Sequence, residues 1–320
     1  MNGGPAGGSL ALARFGSFFA GGRALRIDGR PVDRLHISDT LPDFRHDPNG
    51  GYVIESCYVQ YFIPEPCTGL PVVLIHGGGF SGACWETTPD GRPGWTELLL
   101  RRGRAVYVLD MVERGRAGWC ALPGVWPDPP IMRTAEEAWR VFRFGDAADF
   151  AARRGFPGLR FPLESFPAFL RQFVPRWPGS DGRAQPALQD AIRIIGRCAI
   201  VAHSSGAGLA YQAAMEAPDL VAAVATLEPN GTPRGMPADL SGQRFVAVFG
   251  DYLDRDPLWL GLHAGTCEMT RALAGRGARA SCLTLADAGL PGHSHMLMMD
   301  RGSDRVLALT LSAIDDAAGD

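Results

Sequence analysis

The sequence predicts an α/β protein built on a mostly parallel, doubly wound sheet with one long insertion. Three observations carry this. Short, almost wholly apolar runs recur along the chain, segments with helical spacing lie between them, and one interval of more than eighty residues breaks the alternation.

Before Pro71, alternating pieces such as YVIESCYVQYFIP (52–64) suggest antiparallel strands at one edge. PVVLIHG (71–77), RAVYVLD (104–110), CAIVAH (198–203), VAAVATLEP (221–229) and RFVAVFGD (244–251) are apolar at nearly every position, as strands covered on both faces require. ARASCLTLAD (278–287) is a candidate sixth. WTELLLRRG (95–103), GLAYQAAMEAP (208–218) and PLWLGLHAGTCEMTRALAGRG (257–277) carry helical spacing between them. No internal repeat is visible.

The long interval between Asp110 and Cys198 exceeds what one crossover needs, and PGVWPDPP and RWPGSDGRAQP form Pro-rich joints within it. Residues 119–189 are therefore expected to form an inserted helical cap, with 1–118 and 190–320 as the core. Twelve Trp and Phe fall between residues 119 and 177, more than twice the chain's 9% aromatic share. Most must pack the cap itself, and a few are expected to line an apolar pocket.

With 320 residues and 46% hydrophobic content the chain can bury a large core. A formal net charge of −3 offers no basic excess for nucleic acid, and substrates are not expected to be recognised by bulk charge. Seven cysteines, odd in number and without CxxC spacing, argue against a zinc cluster and a full disulfide framework; most are expected to be reduced and buried. The N-terminal apolar run is broken by Arg14 and glycines and reads poorly as a signal peptide, and no run of 18 apolar residues suits a membrane helix. The expectation is a cytoplasmic protein, or a periplasmic one if a leader has been removed.

The chemistry centres on CAIVAHSSGAG (198–208). A serine hydroxyl becomes a nucleophile when held on a sharp strand-to-helix turn beside a base, and such a turn needs small residues two before and two after the serine. Placing Ser204 there gives Ala202 and Gly206 at the crowded positions, whereas Ser205 would put His203 at one of them. Ser204 is the better nucleophile, and Ser205 would offer its backbone N–H to an oxyanion. HGGGFSG (76–82) matches a dinucleotide fingerprint at Gly77, Gly79 and Gly82, but the prolines and glycines that follow leave no helix N-terminus for a pyrophosphate. The same glycines suit an oxyanion loop.

GLPGHSHMLMMD supplies two candidate bases, His293 and His295. For the acid, Asp251 occupies the more usual strand, while Glu228 ends an otherwise apolar one, where an unpaired carboxylate would be costly. Spacing alone leaves the two close to even.

HGGGFSGACWETTPDGRPGW (76–95), AHSSG, LEPNG and HSHMLMMDR together resemble a small group of bacterial α/β-hydrolase esterases, with WETTPDGR the most specific string. These are known for adjacent cysteines in the oxyanion loop and a glutamate acid on the strand after the nucleophile. The resemblance spans roughly residue 51 to the C-terminus and is weakest through the cap. It implies the α/β-hydrolase fold, Ser204 as nucleophile, Glu228 as acid, His295 as base, and oxyanion donors from the backbone of Gly78 and Ser205. Gly78-Gly79 stands where those relatives have two cysteines, so no vicinal disulfide can stiffen the loop.

The expected function is serine ester hydrolysis through an acyl-enzyme, on a small ester with an apolar group, with no cofactor or metal required. No nucleic-acid or membrane partner is expected, and a homodimer stays open. Lactonase, amidase and C–C bond hydrolase activities use the same residues on this fold and are the alternatives. A ligand-binding module that has lost turnover is the alternative of a different class.

Overall fold

The computed structural model describes residues 8–315. In chain order the elements are β1 (Leu12–Ile27), β2 (Asp33–Leu35), β3 (Phe44–His46), β4 (Gly50–Pro64), β5 (Val72–Ile75), α1 (Trp95–Leu100), β6 (Val106–Asp110), α2 (Ala135–Val141), α3 (Phe166–Leu170), α4 (Asp181–Ile195), β7 (Cys198–His203), α5 (Gly206–Glu216), β8 (Val221–Leu227), β9 (Arg244–Phe249), α6 (Pro257–Ala274), β10 (Arg279–Thr284) and α7 (Ser303–Asp315).

Eight strands form one sheet in the order β1-β4-β6-β5-β7-β8-β9-β10. From β6 to β10 every pairing is parallel, and β4 and β1 add antiparallel strands at one edge. The apolar runs become the central strands because both of their faces are covered. Val72 and Leu74, Val201, Ala225 and Val248 point into one apolar body, while Val73 and Ile75, Ile200, Val224 and Phe245 point into the other. The first body is capped by α1, α7 and aromatics of the insertion, the second by α4, α5 and part of α6.

After β5 the chain goes to β6 on one side, and its next strand, β7, lies on the other. Strand order therefore reverses at β5, and the crevice beyond the C-terminal ends of β5 and β7 is where open α/β sheets place their ligands. The glycine loop follows β5 there, and Ser204 follows β7.

Within 119–189 the regular elements are the short α2 and α3, several one-turn 3₁₀ segments and the start of α4. Eight of the twelve aromatics are buried, while Trp119 is exposed, so the insertion is held by aromatic packing, within itself and onto the core, rather than by long helices. α4 runs through position 190 and packs on β1, β4 and α5, with Asp181 and Ala184 of its first turn beside Gly78 and Ser205. A disulfide joins Cys267 on α6 to Cys282 on β10; of the five free cysteines, Cys57, Cys84 and Cys198 are buried.

Candidate active site

Ser204 sits between β7 and α5 with φ of 52°, in the left-handed region that a residue with a side chain rarely occupies. Its backbone is clamped from both sides. The Ser204 N–H donates to Leu227 O at 2.9 Å, and the N–H groups of Ala207 and Asn230 donate to Ser204 O at 3.0 and 3.1 Å. A Cβ on Gly206 would lie 2.7 Å from His76 O and 2.9 Å from Ile75 Cγ2, and Ala202 is fully buried. The crowding two residues either side of Ser204 is the geometry of a nucleophile elbow.

The glycine loop lies against this turn. A Cβ on Gly77 would meet His203 Nδ1 at 2.6 Å and Ser204 Cβ at 3.0 Å, so only glycine lets the backbone come this close. His76 fixes the loop's start: Nδ1 donates to Gly77 O at 2.9 Å and Nε2 accepts from Met111 N at 3.1 Å. Burial pushes His76 down to about 4, which keeps it neutral in that tautomer. Asp110 fixes the other end, with Oδ1 accepting from Gly82 N at 2.6 Å and Oδ2 from Arg116 Nε at 2.8 Å. These anchors hold a loop that has no disulfide of its own. Only one 3₁₀ turn, Gly82–Trp85, follows, and α1 waits until Trp95, so no helix begins where a dinucleotide would need one.

WETTPDGR has a structural role in this arrangement. Arg92 is gripped by Asp90 at 2.7 Å and donates to Met299 O at 2.6 Å and Asp300 O at 3.1 Å, tying the segment after the glycine loop to the segment after His295.

Glu228 directly follows β8, fully buried and with φ of 54°. Its Oε2 lies 3.2 Å from His295 Nδ1, and its Oε1 accepts from Arg143 Nη2 at 2.6 Å and Gly250 N at 2.5 Å. Burial alone would raise this carboxyl, but the Arg143 charge and the hydrogen bonds from His295 and Arg143 prevail and hold it at about 2. His295 is buried between aromatic rings, stacked on Phe142 at 5.2 Å between centroids and with Trp259 at 4.4 Å and His203 at 4.7 Å. Its N–H donates to Phe142 O, and its carbonyl accepts from His203 Nε2 at 3.0 Å. Its Nε2 is buried with no protein partner. Burial lowers the imidazole pKa, Glu228 opposes the shift, and the charges of Arg143 and Arg133 add to it.

The carboxylate that faces His295 is thus Glu228. Asp251 spends its side chain on the N–H of Gly292, and its carbonyl accepts from Arg143 Nε at 2.8 Å, so it shapes the histidine loop without touching the ring of His295. His293 is turned toward Asp300, with Nδ1 3.2 Å from Oδ2. Gly78 and Ser205 flank Ser204 from the loop and from the start of α5, and a Cβ on Gly78 would sit 3.1 Å from Ser205 Oγ. Gly78, Ser204 and Ser205 thus adjoin one another, and the Glu228–His295 pair is joined to them through His203, the residue before Ser204.

Sequence reasoning missed Arg143. It is fully buried, has φ of 56°, and lies over Trp259 with its guanidinium carbon 4.8 Å from the ring centre. The available signal was an arginine inside the aromatic run VFRFG, together with the need of a buried Glu228 for a cation.

No protein-family model matches the chain. Among solved structures, one described as a novel bacterial esterase superposes with a TM-score of 0.82 at 29% identity, over 98% of this chain and 99% of that one. The fold is that of the α/β-hydrolases. Among curated sequences, "Probable secreted lipase phiG" from Fungal sp. (strain ATCC 74256) is 29% identical over 200 residues, 58% of this chain. The chain spans about half the length of that curated relative, 52%. The chain is thus similar to proteins described as a bacterial esterase and a probable secreted lipase. No helix among the described residues is long and apolar enough to cross a membrane.

Proposed function

We propose that the chain is a serine carboxylic-ester hydrolase working through an acyl-enzyme, with Ser204 as nucleophile, His295 as base, Glu228 as the acid that orients it, and the N–H groups of Gly78 and Ser205 as oxyanion donors. The observation that carries this reading is the state of His295. Its Nδ1 rests on a buried carboxylate held ionised, while its buried Nε2 has no protein partner and is open to a proton.

In the first half-reaction Ser204 Oγ attacks the ester carbonyl and its proton passes to His295 Nε2. Glu228 stabilises the imidazolium, and the two backbone donors hold the oxyanion. Collapse breaks the ester C–O bond, and His295 returns the proton to the leaving alcohol. Water then attacks the acyl-enzyme by the same proton path, releasing the acid and restoring Ser204. Phe80, Phe142 and Phe173 pack on one another beside His203 and His295, which supports an apolar group on the substrate. Kinship with esterases that carry adjacent cysteines in the oxyanion loop, and a cytoplasmic setting, belong to the same proposal.

A fluorophosphonate should label Ser204 stoichiometrically, and matched esters, lactones and amides compared by kcat/KM should rank esters first. No labelling would leave a ligand-binding module without turnover. Faster lactone or amide cleavage would reassign the reaction.

A further inference from the structure

Three arginines crowd the glycine loop. Arg176 bridges through its backbone to Ile131, with N···O distances of 2.8 and 3.0 Å, and a Cβ on Gly78 would lie 2.1 Å from its Nη1. The guanidinium thus rests against the loop at the same spot that Ser205 Oγ approaches. Arg176 Nε is shut off from solvent with no protein partner. Arg114 is buried and donates to a main-chain oxygen, Pro175 O at 2.9 Å. Arg133 is the third, paired with Glu137 at 2.5 Å and lying over Phe142, the ring that stacks on His295.

Among the described residues no carboxylate is within ion-pair distance of Arg176 or Arg114, and Glu137 is taken by Arg133. Asp181 and Glu113 attract Arg114 from farther away, but burial and the charge of Arg176 still bring it down to about 10. A narrow cleft of about 30 Å³ is lined by Gly78, Gly79, Ile131, Met132, Arg133, Arg176 and the Glu137 carboxylate that Arg133 neutralises. A buried guanidinium donor without an acceptor, beside like charges, is costly, and an anion relieves both costs. A carboxylate suits the space and meets a guanidinium fork in two parallel hydrogen bonds.

We propose that this cleft binds a carboxylate of the substrate, so that the preferred ester carries an acidic group as well as an apolar one. The inference rests on the ester-hydrolase reading of Ser204. It is compatible with a formal charge of −3, because the arginines act locally and not through bulk charge.

The test compares two matched pairs by kcat/KM: 4-acetoxybenzoate against its methyl ester, and 4-nitrophenyl hydrogen adipate against 4-nitrophenyl hexanoate. The wild type should favour the acidic member of at least one pair by about tenfold or more at low ionic strength, and 0.5 M NaCl should shrink that preference. Arg176→Gln should bring the ratio toward one, and Arg176→Lys should restore part of it. The salt arm needs no variant and stands even if one folds poorly. Ratios near one in the wild type, or a ratio that survives Arg176→Gln while neutral esters are still cleaved, would overturn the carboxylate cleft and leave the esterase reading intact. Failure to cleave any of the four, with no fluorophosphonate label on Ser204, would overturn both.

Discussion

Arg143 Nη2 donates to Glu228 Oε1 at 2.6 Å with both side chains shut off from solvent, so the acid behind His295 is shared between the imidazole and a guanidinium from the insertion. Breaking such a pair strands a buried charge. Arg143→Met is expected to cost about 3–5 kcal/mol in urea unfolding at neutral pH. A carboxyl held at about 2 instead of its ordinary 4.5 gives stability that is complete above about pH 4.5 and drains away as pH falls toward 2. The stability gap between wild type and Arg143→Met should therefore narrow over that window. A gap that stays constant there would mean the pair is not the source.

The same arginine bears on the pH profile. Burial, with Arg143 and Arg133, holds His295 below its ordinary 6.5, and the mechanism proposed above needs the neutral ring. The acid limb of kcat/KM in the wild type is expected below pH 6.5 and should move upward in Arg143→Met. An unchanged limb in the variant would show that Arg143 does not tune the base.

The two serines should separate cleanly. Ser204→Ala is expected to lower kcat by roughly 10⁴-fold or more, because members of a nucleophile–base–acid set fail as a unit. Ser205→Ala, which keeps the backbone N–H, should stay within about tenfold. Steady-state rates on one ester decide this, and a reversed ranking would move the elbow by one residue.

For the acids, Glu228→Gln should lower kcat by about 10²- to 10⁴-fold through loss of imidazole orientation. Asp251→Asn should act mainly on stability, since its side chain holds the N–H of Gly292. If Asp251→Asn proved the more damaging for kcat at full folding, the acid would have to be reassigned.

Thiol titration of the denatured, unreduced protein should find five thiols among the seven cysteines, with Cys267 and Cys282 silent. Seven would show that this pair is reduced in the isolated protein.

What could be read from the sequence was whatever leaves a local trace. The central strands announce themselves because burial on both faces excludes polar residues, and Ser204 because the turn tolerates only small residues around it. The choice between Glu228 and Asp251 was not local: both follow strands, and only the folded loop shows one on His295 Nδ1 and the other on Gly292. Arg176 was invisible for the same reason, and Arg143 left only the faint trace of an arginine within an aromatic run, since each matters through a partner far along the chain. The insertion was legible as an interval and as an aromatic excess, but its largely irregular backbone has no periodicity to read.

Trp139, Phe142, Phe144, Phe166 and Phe169 of the insertion belong to the same apolar body as Val246, Val248, Leu307 and Leu311 beneath them. The roof of the crevice and the floor are thus one piece of packing, joined also by Arg143 to Glu228. An insertion exchanged as a block for that of another hydrolase would bring neither the cation nor the matching rings. On the proposed reading, specificity should therefore change more readily through single substitutions in place than through transplanting the insertion as a block.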